Sequence, residues 1–139
     1  MKVSTYAMLG AALALSACGG SSTITEPADI NNQKVFFAFD SAEIGGEAKD
    51  NLLGQSLYLK NRANEKIQIA GNCDERGTQE YNLALGVRRA NAAKQVLVKD
   101  GIDAKRIKTV SYGKNRPSVK GTGESVWKQN RNATTTAVK

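Results

Sequence analysis

Runs of β-branched and aromatic residues, two of them alternating between apolar and polar positions, mark four segments of this chain as strands. The four segments are "KVFFAFD" (34–40), "KIQIAGN" (66–72), "RIKTVSYG" (106–113) and the less apolar "NATTTAV" (132–138). A short turn at Trp127 precedes the last of them. The pattern therefore predicts a small sheet of four strands.

Between these strands, apolar residues recur every three or four positions, which is the spacing of an amphipathic helix. The first helix is expected over 47–63 and the second over 78–99. The shared face of the first helix is formed by Ala48, Leu52, Ser56 and Leu59. Gly101, just beyond the second helix, suits a left-handed C-terminal cap.

The order β-α-β-α-β-β defines the expected fold. We predict a two-layer α/β (α+β) sandwich, in which two main helices pack on one face of a small mixed four-stranded sheet. Each β-α-β unit that joins neighbouring strands implies a parallel crossover.

Arg89 lies on the side of the second helix that should be buried. At about 100° per residue, Arg89 and Asn82 fall near the centre of the apolar stripe, whereas Arg88 falls on its flank. The apolar members of the stripe are Leu85, Ala92, Ala93, Val96 and Leu97. Because a buried guanidinium without a partner is very costly, we expect Arg89 to have a specific partner.

Asp74 is the nearest carboxylate that could serve, since it ends the second strand beside the start of the second helix. One interpretation is a buried salt bridge between Asp74 and Arg89 that fixes the loop. The other is a pocket, lined also by Asn82, that binds a zwitterion. Arg89 would then take a carboxylate as a forked pair and Asp74 an ammonium, with help from N–H groups at the helix start.

The composition narrows the classes of function. The chain has 139 residues, a formal net charge of +7 and no histidine. Histidine is the commonest general base and zinc ligand, so we expect no catalytic site, metal site or cofactor. The positive charge raises nucleic acid as an alternative partner. The lysines and arginines form no continuous run, however, and we expect no binding to nucleic acid.

The N-terminus has the pattern of a secretory signal peptide. Lys2 precedes an apolar stretch over 3–15, which is shorter than the roughly 20 residues of a membrane-spanning helix. The following "LSAC" (15–18) resembles the lipobox of bacterial lipoproteins. That resemblance implies a signal peptide over 1–17 and a lipidated Cys18 as the mature N-terminus. An ordinary signal peptide that happens to contain a cysteine is the alternative.

The residues after the lipobox complete the domain prediction. Gly19 stands where an aspartate often signals retention in the inner membrane, which points to the outer membrane with the domain facing the periplasm. Residues 18–33 are rich in Gly, Ser, Thr and Asn and are expected to form a flexible tether. The folded domain is expected over 34–139, with Cys73 as a buried packing residue.

One stretch carries a specific resemblance. "GNCDERGTQEYNLALGVRRA" (71–90) resembles the signature of OmpA-like peptidoglycan-binding domains, and the resemblance extends over about 34–131. Supporting stretches are "VFFAFDSAEI", "RIKTVSYGKNRP" and "SVWKQNR". Two positions depart from the family pattern, because Asn72 stands where histidine is usual and Asn132 where arginine is usual.

The resemblance implies a ligand and the residues that bind it. The family binds the diaminopimelate of the peptidoglycan stem peptide, whose side chain ends in an amine and a carboxylate. Asp74 and Arg89 match the family's binding residues, and Asp40 and Asn82 match further positions of the pocket. The expected function is therefore a non-catalytic outer-membrane lipoprotein that ties the membrane to the cell wall.

Two alternatives remain at this stage. A peptidoglycan-cleaving enzyme would use a pair of carboxylates, and the chain offers Glu43, Asp74, Glu75 and Glu80. The resemblance also implies that the anchor works in the Tol system, whose periplasmic β-propeller would be its partner, and the alternative is another envelope anchor of the family that works outside that system. The sequence alone does not decide whether this chain joins that system.

Overall fold

The computed structural model describes residues 23–139 and contains all the elements that the sequence predicts, with changed boundaries. In chain order they are β1 (Gln33–Phe36), α1 (Gly46–Lys60), β2 (Lys66–Asn72), α2 (Gln79–Lys99), β3 (Ile107–Gly113), α3 (Glu124–Asn130) and β4 (Asn132–Val138). A single 3-10 turn, Ala104–Arg106, precedes β3. Cys18 and the signal peptide lie outside the described residues.

The four strands form one mixed sheet in the order β1-β4-β2-β3. β2 and β3 are parallel and are joined through α2, whereas β4 lies antiparallel between β1 and β2. Both long helices pack on the same face of this sheet. The two-layer mixed α/β sandwich expected from the sequence is thus confirmed.

The core lies between the helices and that face of the sheet. Its fully buried side chains include Leu52, Leu59, Ile67, Ile69 and Leu97, which come from α1, β2 and α2. The stripe of α2 is buried as the periodicity predicts, and Arg88 on its flank is exposed. At the end of α2, Gly101 has φ +104°, the left-handed cap that its position suggested.

α2 approaches β2 unusually closely, and two glycines permit it. A Cβ on Gly71 would lie 1.8 Å from the carbonyl oxygen of Gly86, and a Cβ on Gly86 would lie 2.1 Å from Oγ of Ser111. Neither position therefore accepts a side chain without movement of the backbone. This contact brings the first half of α2, with Arg89, against the end of β2.

Three elements differ from the prediction by more than one residue. β1 ends at Phe36 and not at residue 40, because the chain turns away from the sheet towards Asp40, which has φ +54°. α1 ends at Lys60 and not at residue 63. The next residue, Asn61, caps the helix through its backbone N–H. The turn expected at Trp127 is a helix of seven residues, α3.

The sequence suggested a flexible tether over residues 18–33. The described part of it before β1, residues 23–32, packs on the domain instead. Ile30 is fully buried in the core. Glu26 forms an ion pair with Arg62, just beyond α1, and Oδ1 of Asn31 accepts a hydrogen bond of 2.9 Å from the backbone of Ala137. The folded part therefore begins by about Glu26, and not at Lys34.

Removing one methylene from Ile30 tests this packing. Ile30→Val should lower the free energy of unfolding by about 1 kcal/mol, because the site is closed and the neighbours relax only partly. The partly buried Ile24 offers the matched control, and Ile24→Val should change stability less. Urea unfolding of both variants gives the comparison; equal stabilities would mean that the segment does not belong to the core.

β4 is more polar than a usual central strand, but the buried hydroxyl of its Thr135 has a hydrogen-bond partner. Thr135 donates a hydrogen bond of 2.6 Å to Oε1 of Gln55 on α1, and both side chains are buried. The two departures from the family pattern contact each other, since Nδ2 of Asn72 donates to Oδ1 of Asn132 at 2.9 Å. These asparagines face each other across β2 and β4.

Within residues 23–139 no helix has the length and apolar character needed to cross a membrane.

Candidate functional site

The main cavity opens where β2 ends and α2 begins. Its volume is about 380 Å³, and its far wall is the loop that follows β1. All four residues expected at the site line it: Asp40, Asp74, Asn82 and Arg89. The topology explains this convergence, because the end of β2, the start of α2 and the end of β1 meet at the same edge of the sheet.

Arg89 forms the buried base of this cavity and joins three segments of the chain. It is 0% exposed. Its Nε donates to the carbonyl of Ser41 at 2.8 Å, Nη1 to that of Asn72 at 2.9 Å and Nη2 to that of Ala38 at 3.1 Å. Three of the five N–H groups thus donate to backbone carbonyls. Burial lowers the pKa of this guanidinium, although arginine stays charged in proteins.

The buried Asp74–Arg89 salt bridge considered from the sequence does not form. Asp74 instead accepts two hydrogen bonds from the side chain of Arg76, at 2.8 and 3.2 Å, and lies 3.5 Å from Nη1 of Arg131. No carboxylate of residues 23–139 lies within 4.0 Å of an Arg89 nitrogen. Arg89 satisfies its donors with backbone carbonyls, which leaves the Asp74 carboxylate to other cations.

Asp74 is an ionised carboxylate in a nearly closed setting. It is 4% exposed. Burial by itself raises the pKa of Asp74, but hydrogen bonds from the side chain and backbone of Arg76 outweigh burial and hold the pKa below its ordinary value of 3.8. The group therefore carries its full charge at neutral pH.

Arg76 and Arg131 belong to the site, although the sequence analysis did not identify them. The guanidinium of Arg76 lies between the rings of Phe39, at 3.8 Å, and Trp127, at 4.0 Å. Arg131 is 6% exposed and also binds Glu124 at 2.7 Å. These contacts join α3 and β4 to the rim of the cavity. Arg131 could have been found from the register of β2 and β4. Because Asn72 pairs with Asn132 in these antiparallel strands, the residue before β4 lies beside the residues after β2.

Asn82 and the first turn of α2 fix the loop that carries Asp74. Nδ2 of Asn82 donates to the carbonyls of Arg76, at 2.8 Å, and Thr78, at 3.1 Å. Thr78 caps α2 by accepting a hydrogen bond from the backbone of Tyr81 at 3.1 Å. Asn82 therefore positions the loop, and its amide donors are occupied.

Asp40 stands at the opposite rim. The hydroxyl of Tyr81 donates to its carboxylate, and this contact joins the loop after β1 to α2 across the mouth of the cavity. Tyr81 is 46% exposed, so this bridge faces solvent. The cavity thus offers one buried carboxylate, one exposed carboxylate and guanidinium N–H groups, which is a set suited to a ligand with an ammonium and a carboxylate.

Cys73 lies beside the cavity as a buried thiol, as the sequence suggested. It is 3% exposed, and its Sγ donates to the carbonyl of Asn82 at 3.2 Å. Burial raises the pKa of this thiol above its ordinary value of 9.0. The thiol therefore stays protonated at neutral pH.

We expect Cys73→Ala to lower the free energy of unfolding by about 1 kcal/mol and to leave ligand binding nearly unchanged. We also expect the native thiol to react with a disulfide reagent at pH 8 far more slowly than the thiol of the unfolded chain, because only the thiolate attacks. Thermal melts and reagent absorbance provide the measurements. Loss of binding in Cys73→Ala would assign the thiol a role in the site.

The chain belongs to the OmpA family, whose model matches residues 36–131. Similar proteins are peptidoglycan-associated lipoproteins. That of Mesorhizobium japonicum is 38% identical, with 92% of this chain and 88% of that protein covered. That of Haemophilus influenzae is 46% identical, with 71% of this chain and 65% of that protein covered. The resemblance found in the sequence is confirmed, and the relatives' names and the family match indicate no catalytic family.

Solved structures agree with this assignment. The peptidoglycan-associated lipoprotein from Burkholderia pseudomallei is 40% identical and superposes with a TM-score of 0.74, covering 76% of this chain and 90% of that one. The C-terminal domain of Helicobacter pylori MotB has a TM-score of 0.71, with 76% of this chain and 84% of that chain covered. At 16% identity, the second comparison shows the fold alone.

Proposed function

We propose that this protein is an outer-membrane lipoprotein whose domain binds peptidoglycan non-covalently and so ties the membrane to the cell wall. The observation that carries the proposal is the cavity where β2 meets α2, which places the buried Asp74 carboxylate and the Arg89 guanidinium in one space of about 380 Å³. The names of the relatives support the same function, since they are peptidoglycan-associated lipoproteins.

The ligand of this cavity is the zwitterionic end of diaminopimelate in the stem peptide. Its ammonium binds Asp74, where it displaces or shares the place of Arg76, which holds that carboxylate in the free protein. Its carboxylate binds the N–H groups of Arg89 that do not donate to backbone carbonyls and the N–H groups at the start of α2. A lysine-type stem peptide lacks that carboxylate and binds more weakly.

This binding needs neither a cofactor nor a chemical step. The anchor on the membrane side is a lipid on Cys18, and the domain faces the periplasm. Membership of the Tol system, through its periplasmic β-propeller, is the finer form of this proposal. Its test is co-purification of that propeller from envelope extracts.

Purified sacculi of known stem-peptide composition test the proposed function. We expect the lipid-free chain from Gly19 onward, which contains all of the described domain, to sediment with sacculi of the diaminopimelate type and to be released by free diaminopimelate. Sacculi of the lysine type are the control and should retain little protein. Equal retention on both would contradict the assigned ligand, and release of soluble fragments would identify an enzyme instead.

The lipid anchor makes a separate prediction. Cys18→Ser should leave the protein without lipid, so that it is recovered as a soluble form or as the uncleaved precursor, because the hydroxyl does not replace the thiol in lipidation. Mass spectrometry of the mature wild-type N-terminus measures the modification directly. An unmodified Cys18 in that spectrum would contradict the anchor and leave the peptidoglycan site unaffected.

A further inference from the structure

The positive charge of the chain is concentrated in its last quarter. Residues 104–139 hold nine of the 20 Lys and Arg residues and only one of the 13 acidic residues, Glu124. Residues 1–103 hold the other eleven cations and twelve acids and are therefore close to neutral. Three of these nine cations, Lys108, Arg116 and Lys120, lie on β3 or in the loop after it, whereas Arg106 binds carbonyls beside the end of α1 and Arg131 lies at the main cavity. The three, together with Lys34 of β1 and Lys66 of β2, lie on one side of the domain.

That side is the face of the sheet opposite the helices. Ile67 and Ile69 of β2 are buried under the helices, so the alternating side chains of Lys66 and Gln68 face away from them. None of the four strands contains an acidic residue. We call this surface, together with the loop 114–121 at its upper end, the basic face. Its cations are Lys34, Lys66, Lys108, Arg116 and Lys120, whereas Nζ of Lys114 donates to the carbonyl of Gly77 beside the main cavity.

The basic face is hollow and lined for polar recognition. A depression of about 350 Å³ is bordered by Lys34, Arg116 and Tyr112, with the side chains of Gln68 and Thr134 on its floor. Arg116 stacks on the ring of Tyr112 at 3.8 Å, and Nζ of Lys34 donates to Oγ of Ser118 at 3.2 Å. Cations therefore border a floor of amides and hydroxyls, which are the groups that bind sugars and carboxylates.

The depression lies near the main cavity. A third hollow, of about 240 Å³, shares Cys73 with the main cavity and is also lined by Pro117, which stands between Arg116 and Ser118 of the depression. Cys73 and Glu75 line its side towards the main cavity, and Lys120 and Pro117 line its side towards the basic face. Asn72 lies between the main cavity and the depression. Its backbone carbonyl accepts a hydrogen bond from Arg89, which lines the main cavity, whereas its side chain lines the depression.

We propose that the basic face is a second binding surface for peptidoglycan, which holds the carboxylates and sugar hydroxyls of the polymer beyond the stem peptide in the main cavity. The proposal rests on the proposed function. The polymer fits this surface because each stem peptide carries free carboxylates while the glycan supplies hydroxyls, and because the surface lies near the main cavity. Two connected contacts on one polymer raise its overall affinity well above that of either contact alone.

Charge removal on the basic face tests the proposal. The triple variant Lys108→Gln, Arg116→Gln, Lys120→Gln alters exposed side chains only. The control variant Lys49→Gln, Lys94→Gln, Lys99→Gln removes the same charge from the helix layer. Sedimentation with sacculi of the diaminopimelate type is measured from about 0.01 M to about 1 M salt, where the Debye length falls from about 30 to about 3 Å. Binding of free diaminopimelate is measured by calorimetry.

We expect the triple variant to bind sacculi about tenfold more weakly than wild type at low salt and equally at high salt. Its affinity for free diaminopimelate should be unchanged, and the control variant should match wild type throughout. If both triple variants bind sacculi equally at every salt concentration, the second surface is wrong although the main cavity stands. Capture of acidic proteins from envelope extracts is measured with the same variants. If the basic-face variant binds sacculi like wild type and loses only that capture, the face serves a protein and this proposal is also wrong. A wild-type chain that binds no sacculi overturns the proposed function itself.

Discussion

Arg89→Ala should lower the free energy of unfolding by about 3–5 kcal/mol, one of the two largest effects that we expect from a single change. The guanidinium holds three backbone carbonyls, two in the loop after β1 and one at the end of β2. Alanine leaves those carbonyls without donors and opens a void, because Arg89 is fully buried. Thermal melts and urea unfolding measure the loss, and the remaining folded protein should not bind sacculi.

Two further variants separate the charge of Arg89 from its geometry. Arg88→Ala is the matched control, since Arg88 is exposed on the next position of α2 and should change stability by about 0.5 kcal/mol or less. Arg89→Lys keeps the charge but cannot reach three carbonyls at once, so it should also lose most of the stability. A melting temperature of Arg89→Ala equal to that of wild type would show that the three hydrogen bonds do not hold the cavity wall.

Asp74→Asn should abolish binding to diaminopimelate, with a loss of about 2–5 kcal/mol in binding free energy. The amide keeps the shape of the carboxylate but offers no charge to the ammonium of the ligand. Calorimetry with free diaminopimelate and sedimentation with sacculi both measure this effect. Glu75→Gln is the control, because it removes the same charge from the neighbouring residue. Glu75 is exposed and accepts hydrogen bonds from Thr122 and Trp127. Equal binding by Asp74→Asn and wild type would place the ammonium elsewhere.

The pH dependence of stability gives an independent view of Asp74. The pKa of this carboxyl is lowered in the folded protein, so its contribution to stability is complete above its ordinary value of 3.8. That contribution is lost as the pH falls through the lower pKa of the folded state. The difference in unfolding free energy between wild type and Asp74→Asn should therefore be constant above about pH 5 and shrink in acid.

The sequence could predict the elements because their periodicities are strong. Burial of Arg89 also followed from periodicity, since its place on α2 depends only on the angle between successive residues. Its partners did not follow, because carbonyls of a loop carry no signal in the side-chain pattern. Asp74 was an obvious partner by type and position, yet the structure gives it to Arg76, two residues away.

The residues that the sequence missed depend on distances between distant segments. Arg131 meets Asp74 only because β4 lies between β1 and β2, and no local pattern states that order. The basic face was missed for the same reason. Cations that look scattered along the chain gather on one face once the strands are side by side. The N-terminal segment was misread because its polar composition conceals one apolar contact, Ile30.

The attachment of that N-terminal segment has a mechanical consequence. Glu26 lies beside Arg62 at the end of the domain away from the main cavity. Seven residues separate Glu26 from Cys18, and the eight steps between the two span at most about 28 Å. In the proposed anchor, tension between membrane and wall enters the domain at this end and leaves at the cavity. β1 runs from that end towards the cavity and is hydrogen-bonded laterally to β4. The force therefore shears the whole row of bonds at once and does not peel them in sequence, which is the geometry in which a short strand resists pulling best.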